Sequence, residues 1–140
     1  MPTIFTRIID GEIPGRFVWK DDRVVAFLTI EPMHPGHTLV VTREEHDHWI
    51  DIPADLNAHV WSVAQTIGRA IDRAFSPRRV GVLVVGDEVP HVHVHVTGFD
   101  SVGDLSFANV DRNVSAEEFD DIAARLRAAL HELGAAGVSE

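Results

Sequence analysis

Apolar positions along the chain switch between a period of about 3.6 and a period of two. Over residues 3–9 (TIFTRII), Ile4, Phe5 and Ile8 fall at helical spacing, Thr3 can cap, and Asp10-Gly11 is a stop, which predicts a short helix. Phe17-Val18-Trp19 and residues 23–28 (RVVAFL) read as two strands joined by Lys20-Asp21-Asp22. Residues 29–36 form a loop punctuated by two prolines and a glycine, and a third strand runs over 37–42 (HTLVVT). Residues 43–51 are polar and read as solvated, His46 and His48 included. Pro53 suits a first helical position, and Leu56, Val60, Val63, Ala64, Ile67, Ile71 and Phe75 form one stripe, so a long amphipathic helix is predicted over 53–75. His59 and Trp61 lie off that stripe, and Ser76-Pro77 ends it. Val80 to Val85 is nearly all apolar, the pattern of a central strand covered on both faces. Residues 98–113 have no period and are predicted to cross the surface or the mouth of a pocket. Ser115-Ala116-Glu117-Glu118 is a capping box, followed by a helical stripe of Phe119, Ile122, Ala123, Leu126, Leu130 and Leu133. The tail after Gly134 is expected to fray. The fold class expected is α+β: an antiparallel sheet of about five strands with helices packed on it. Residues 1–140 then make one domain, with 98–140 as a C-terminal extension carrying one amphipathic helix.

One stretch does not fit a purely structural account. In Pro90-His91-Val92-His93-Val94-His95-Val96-Thr97, three histidines alternate with valines. On a strand, His91, His93 and His95 share one face, about 7 Å apart, and Val92, Val94 and Val96 share the other. A valine face can pack into a core while the imidazole face lines a pocket. Structural needs alone would be met by Thr or Val, without three weakly basic rings that repel one another when protonated.

Composition narrows the chemistry. The 140 residues carry a formal net charge of −10 and no cysteine. That balance argues against binding a polynucleotide backbone, which calls for a concentrated basic surface. It leaves room for a small anion held by a few local donors. Disulfides and thiolate zinc sites are excluded. No apolar run reaches the length of a membrane span, and the first residues lack a signal-peptide pattern, so a cytoplasmic location is expected.

Two chemistries compete for the histidines. Three imidazoles and an open position can hold catalytic zinc. Consecutive ligands two apart on one strand reach a single metal poorly, and two of them with a distant His37 or Glu88 would do better. Alternatively, a neutral imidazole can attack phosphorus if its other nitrogen donates a hydrogen bond that sets the tautomer. His93, flanked by two further rings, is the natural nucleophile.

The run resembles the histidine-triad signature (His-φ-His-φ-His-φ-φ) of the HIT family of nucleotide hydrolases and transferases. Ile4-Phe5 with residues 7–14 (RIIDGEIP) resembles that family's opening helix and turn, and residues 21–28 (DDRVVAFL) resemble its first hairpin. Residues 35–41 (PGHTLVV) resemble its Gly-His-x-Leu-Val strand, so the match covers roughly residues 3–97. The resemblance implies a HIT-like fold, commonly a homodimer, with a nucleoside monophosphate beside the triad and no cofactor. It implies that His93 attacks the α-phosphorus to form a nucleotidyl-histidine, which water then hydrolyses. His91 and His95 would orient and contact the phosphate, His37 would support the hydrogen-bond network, and Ile30 would pack on the nucleoside.

Departures from the family pattern are equally specific. Thr29 stands where an Asp usually holds the ribose hydroxyls, with Glu31 nearby. Gly86-Asp87-Glu88 replaces Gly-Gln-Ser/Thr before the triad, which puts a carboxylate near the expected phosphate. Glu88 either points away, or acts as a general acid with a pKa raised by burial, or marks a different substrate. Thr3 and Thr6 occupy the places of cysteines that hold zinc in some members, so that metal is expected to be absent. The expected function is a metal-independent nucleotidyl hydrolase acting on a phosphoramidate, dinucleoside polyphosphate or related α-phosphate ester. The alternatives are a nucleotide-binding protein with little catalysis and a histidine-ligated metal enzyme.

Overall fold

The structure, a computed structural model, describes residues 1–139. Its elements run α1 (Ile4–Ile9), β1 (Phe17–Lys20), β2 (Val24–Leu28), β3 (Thr38–Thr42), α2 (Ala54–Phe75), β4 (Arg79–Leu83), β5 (His93–Phe99) and α3 (Ala116–Glu132). The strands form one antiparallel sheet in the order β1-β2-β3-β5-β4, the α+β architecture expected.

Strand alternation divides the sheet's residues between two cores. Val24, Ala26 and Leu28, Val40, and Val92, Val94 and Val96 pack against the apolar stripes of α2 and α3. On the opposite face Val25, Phe27, Leu39 and Val41 pack against Phe5 of α1. Thr3 caps α1, its hydroxyl accepting from Thr6 N–H at 3.2 Å, and Ser115 caps α3 by accepting from Glu118 N–H. Pro53 sits at the N-cap of α2, one residue before the predicted helical position. Gly36 turns the chain into β3 at φ +91°, and a Cβ there would meet the Phe75 ring at 2.8 Å. Only glycine suits both demands.

Two expectations are overturned. The apolar run after α2 is an edge strand, with Val82, Leu83 and Val85 exposed rather than covered on both faces. An apolar run reports that both faces can be buried, not that a neighbour exists to bury them. The tail after Gly134 is docked instead of frayed. Gly137 O accepts from Lys20 N–H at 2.8 Å, Ser139 N–H donates to Val18 O at 3.0 Å, and Trp19 bridges to Val138. Gly137 lies flat on the Trp19 indole, where a side chain would collide. Residues 137–139 thereby cover the β1 edge of the sheet.

Candidate functional site

The three triad histidines sit where alternation requires. Val92, Val94 and Val96 are buried in the α2 core, and the imidazoles occupy the other face, beside Phe5. β5 begins at His93; His91 and Val92 extend it, because Val92 N–H donates to His46 O at 2.8 Å. All four site histidines are nearly sealed: His91 is 0% exposed, His37 2%, His93 7% and His95 8%.

Hydrogen bonds assign the proton on each ring. Met33 N–H donates to His37 Nδ1 at 3.0 Å, so neutral His37 carries its proton on Nε2. That proton is donated to His95 Nδ1 at 2.9 Å, which leaves His95 protonated on Nε2. His91 Nε2–H donates to Thr42 O at 2.6 Å, and its Nδ1 accepts from the Thr3 hydroxyl at 2.6 Å. His93 Nδ1–H donates to His91 O at 2.7 Å. The lone pair of His93 therefore lies on Nε2, which has no protein partner among the described residues. The site combines one available nitrogen lone pair with one available N–H, on rings whose centroids are 5.1 Å apart.

Burial keeps the rings neutral. It is the largest cause of depression for all four, since a charged imidazole is poorly solvated there. His37 is pushed down to about 3, with His95 a second depressing influence. His95 is pushed down to about 4, with His93 the second influence. His91 and His93 are also lowered, each partly offset by its hydrogen bond to a carbonyl.

Some participants carry no signal in a linear reading. Glu45 accepts from Thr3 N–H at 2.7 Å and from the Thr6 hydroxyl at 2.5 Å, tying the N-terminal turn of α1 to the segment that follows β3. Residues 43–51 are thus not simply solvated, and the His46 carbonyl pairs with the triad strand. His48 is exposed, as expected. His59, off the α2 stripe, makes a 2.7 Å hydrogen bond with Asp21. Phe107, on the aperiodic segment, sets its ring 5.3 Å from His95.

The other expected residues lie around this centre. Ile30 is 73% exposed, and Thr29 is half-buried with its hydroxyl accepting from Glu31 N–H at 3.2 Å. Gly86 takes φ +70° and, with Trp49, Val85 and His93, lines a cavity of about 120 Å³, room for a phosphate-sized group. Asp87 and Glu88 are exposed on the following turn. The general-acid reading of Glu88 required burial, and burial is absent. His91 has both ring nitrogens engaged within the protein, so neither is free for a phosphate. Among the described residues no three His, Cys, Asp or Glu side chains gather as a metal site. No helix among them is long and apolar enough to cross a membrane.

The chain is similar to known proteins in sequence and in fold. Residues 10–102 match the HIT domain. An uncharacterized HIT-like protein of Methanocaldococcus jannaschii is 33% identical over 120 residues, 82% of this chain and 93% of its own length. A zinc-bound histidine triad family protein of Mycobacterium smegmatis superposes with a TM-score of 0.80 at 27% identity, covering 94% of each chain. A hypothetical histidine triad nucleotide-binding protein of Sulfolobus tokodaii gives a TM-score of 0.81, covering 92% of each chain; at 23% identity that likeness speaks for the fold.

Proposed function

Since the chain belongs to the HIT domain family, we propose that it is a nucleotidyl hydrolase whose nucleophile is His93 Nε2. The observation that carries this reading is the His93 Nδ1–H bond to His91 O, which leaves the outer nitrogen unprotonated. In the first step His93 Nε2 forms a bond to the α-phosphorus, the bond to the leaving group breaks, and the leaving group takes up a proton from solvent. The charge that develops on the imidazole is shared with the His91 carbonyl. His95 Nε2–H donates to a phosphoryl oxygen or to the leaving atom. Water then attacks phosphorus and gives up a proton to solvent, the P–N bond breaks with its electron pair returning to His93 Nε2, and neutral His93 and a nucleoside monophosphate remain. His37 and His91 act through position, the one by aiming His95 and the other by presenting its carbonyl.

The nucleoside lies beside Ile30 and Thr29, and the phosphate sits near Gly86, with Asp87 and Glu88 on the rim. The substrate is a nucleoside phosphoramidate, dinucleoside polyphosphate or related α-phosphate ester; no polynucleotide or membrane is involved, no metal or cofactor takes part, and the reaction is cytoplasmic. The assembly is a homodimer through β4. Of the sheet's two edges, β1 is covered by residues 137–139, whereas β4 is an open edge among the described residues, beside exposed Val82, Leu83 and Val85.

The test is mass spectrometry after brief exposure to an adenylated amine, quenched in alkaline denaturant, where a phosphoramidate linkage survives. An AMP adduct on His93 is expected. Turnover with no adduct, undiminished in H93A, would exclude the mechanism. Tight AMP binding with no turnover across a broad panel would favour a binding protein instead.

A further inference from the structure

The segment between β5 and α3 does more than connect them. Its Phe107 ring is 49% exposed, yet one side of it meets the buried His95 ring at 5.3 Å and 69°. Phe5, His93, His95 and Phe107 thus form a continuous row of edge-on rings, with centroid spacings of 4.7, 5.1 and 5.3 Å. At one end Phe5 is buried by Phe27. At the other end Phe107 stays half exposed among the described residues.

The segment is held in place from both sides. Asp111 N–H donates to Pro32 O at 2.8 Å, and Arg112 pairs with Glu31 at 3.0 Å. These bonds strap it to the loop that carries exposed Ile30 and, through Met33, aims His37. Within the segment, Asn109 Nδ2–H donates to Gly103 O at 2.9 Å, and the Ser106 hydroxyl accepts from Ala108 N–H at 3.2 Å. Leu105 lies over Gly81, which pairs with Thr97 on the histidine face of the sheet. An aromatic ring fixed by this framework and left half open beside an available N–H presents a flat apolar surface suited to contact with a bound group.

We infer that Phe107 is a substrate-contacting wall of the site, whose open face stacks on a planar aromatic group of the nucleotide substrate. This subsite rests on the hydrolase reading above, and it adds a chemical demand on the substrate. A planar group fits because an aromatic ring presents a flat, sequence-tolerant face to other π systems. Two parts of a nucleotide substrate can supply such a group, the nucleobase and an aromatic leaving group.

Phe107→Ala and Phe107→Tyr are compared with wild type on matched substrates. One pair holds the nucleoside constant and exchanges an aromatic amine leaving group for an alkyl amine. The other holds the amine constant and exchanges the adenosine moiety for ribose. F107A is expected to lose about tenfold in kcat/KM, mainly through KM, on the planar member of one pair, and to match wild type on its non-planar partner. F107Y is expected to retain wild-type values. The pair that responds identifies which planar group occupies the subsite. An equal loss on all four substrates would assign Phe107 to supporting His95 alone, and unchanged kinetics on all four would remove the subsite; either result overturns the inference. Calorimetric titration with AMP and with ribose 5-phosphate separates this failure from failure of the hydrolase reading. A wild-type protein inactive on every substrate sinks the hydrolase. If F107A then binds AMP, ribose 5-phosphate and the intact, unturned substrates as wild type does, the subsite is lost as well, whereas weakened binding of the planar member of one pair alone upholds it.

Discussion

β4 and β5 are adjacent, antiparallel and both rich in valine, yet they meet opposite fates. In β5 every residue from His93 to Gly98 is buried. In β4, Val82 and Leu83 stay exposed although they pair with Val96 and His95. Composition does not separate the two strands; position does. β5 lies between two neighbours, under α2 on one face and against Phe5 on the other, whereas among the described residues β4 has a neighbouring strand on one side only. A polar group placed in β5 must therefore be satisfied by the protein itself, and the imidazoles there acquire fixed tautomers. A side chain in β4 answers to solvent or to a second molecule.

The sharpest test of this contrast is His93→Ala, expected to lower turnover at least about 10³-fold while circular dichroism and thermal melting report an intact fold. On the other face of the same strand, Val94→Asp buries a carboxylate with no partner. We expect it to cost more than about 3 kcal/mol in urea unfolding, enough to unfold much of the protein. A preserved midpoint would show that the valine face is not a rigid core.

Acid should also act on β5 and spare β4. Buried neutral histidines bind fewer protons when folded than when unfolded, so stability rises with pH between the folded and unfolded pKa values. For His95 that window runs from about 4 up to 6.5, and for His37 from about 3 up to 6.5. As pH falls below 6.5, each group should cost about 1.4 kcal/mol per unit, read as a falling urea midpoint. A His37→Gln variant should show a shallower slope.

Smaller effects probe the supports. Thr3→Val removes the donor to His91 Nδ1 and should cost about 1 kcal/mol. Because the His91 carbonyl orients His93, kcat and the acid limb of the pH profile should shift too, and Thr3→Ser should restore both. Smallest of all, Val82→Asp should leave unfolding of the monomer within about 0.5 kcal/mol. Sedimentation should nonetheless show weakened self-association, since it places a charge on the open edge. Unchanged association would move the dimer contact elsewhere.

Much of the site was legible because β-structure has a strict period. The alternation of His91, His93 and His95 with valines sufficed to put the rings on one face and the methyl groups on the other. Helical stripes in α2 and α3 were legible for the same reason. Glu45 and Phe107 were not: each sits in an aperiodic segment, and its partners are 39 to 42 residues away in one case and on another element in both. The fate of the tail turned on Gly137 meeting the Trp19 indole, an approach of two surfaces that no local pattern encodes.

By itself the sequence determined the order and type of the elements, the two faces of the triad strand, and a family resemblance that residues 10–102 bear out. Those features depend on spacing along the chain, which is local. Tertiary structure alone decided which apolar strand became an edge, which ring nitrogen kept its lone pair, and how far each imidazole was withdrawn from water. Those outcomes depend on which distant groups arrive beside each residue, and a hydrogen bond or a burial exists only once both partners are in place.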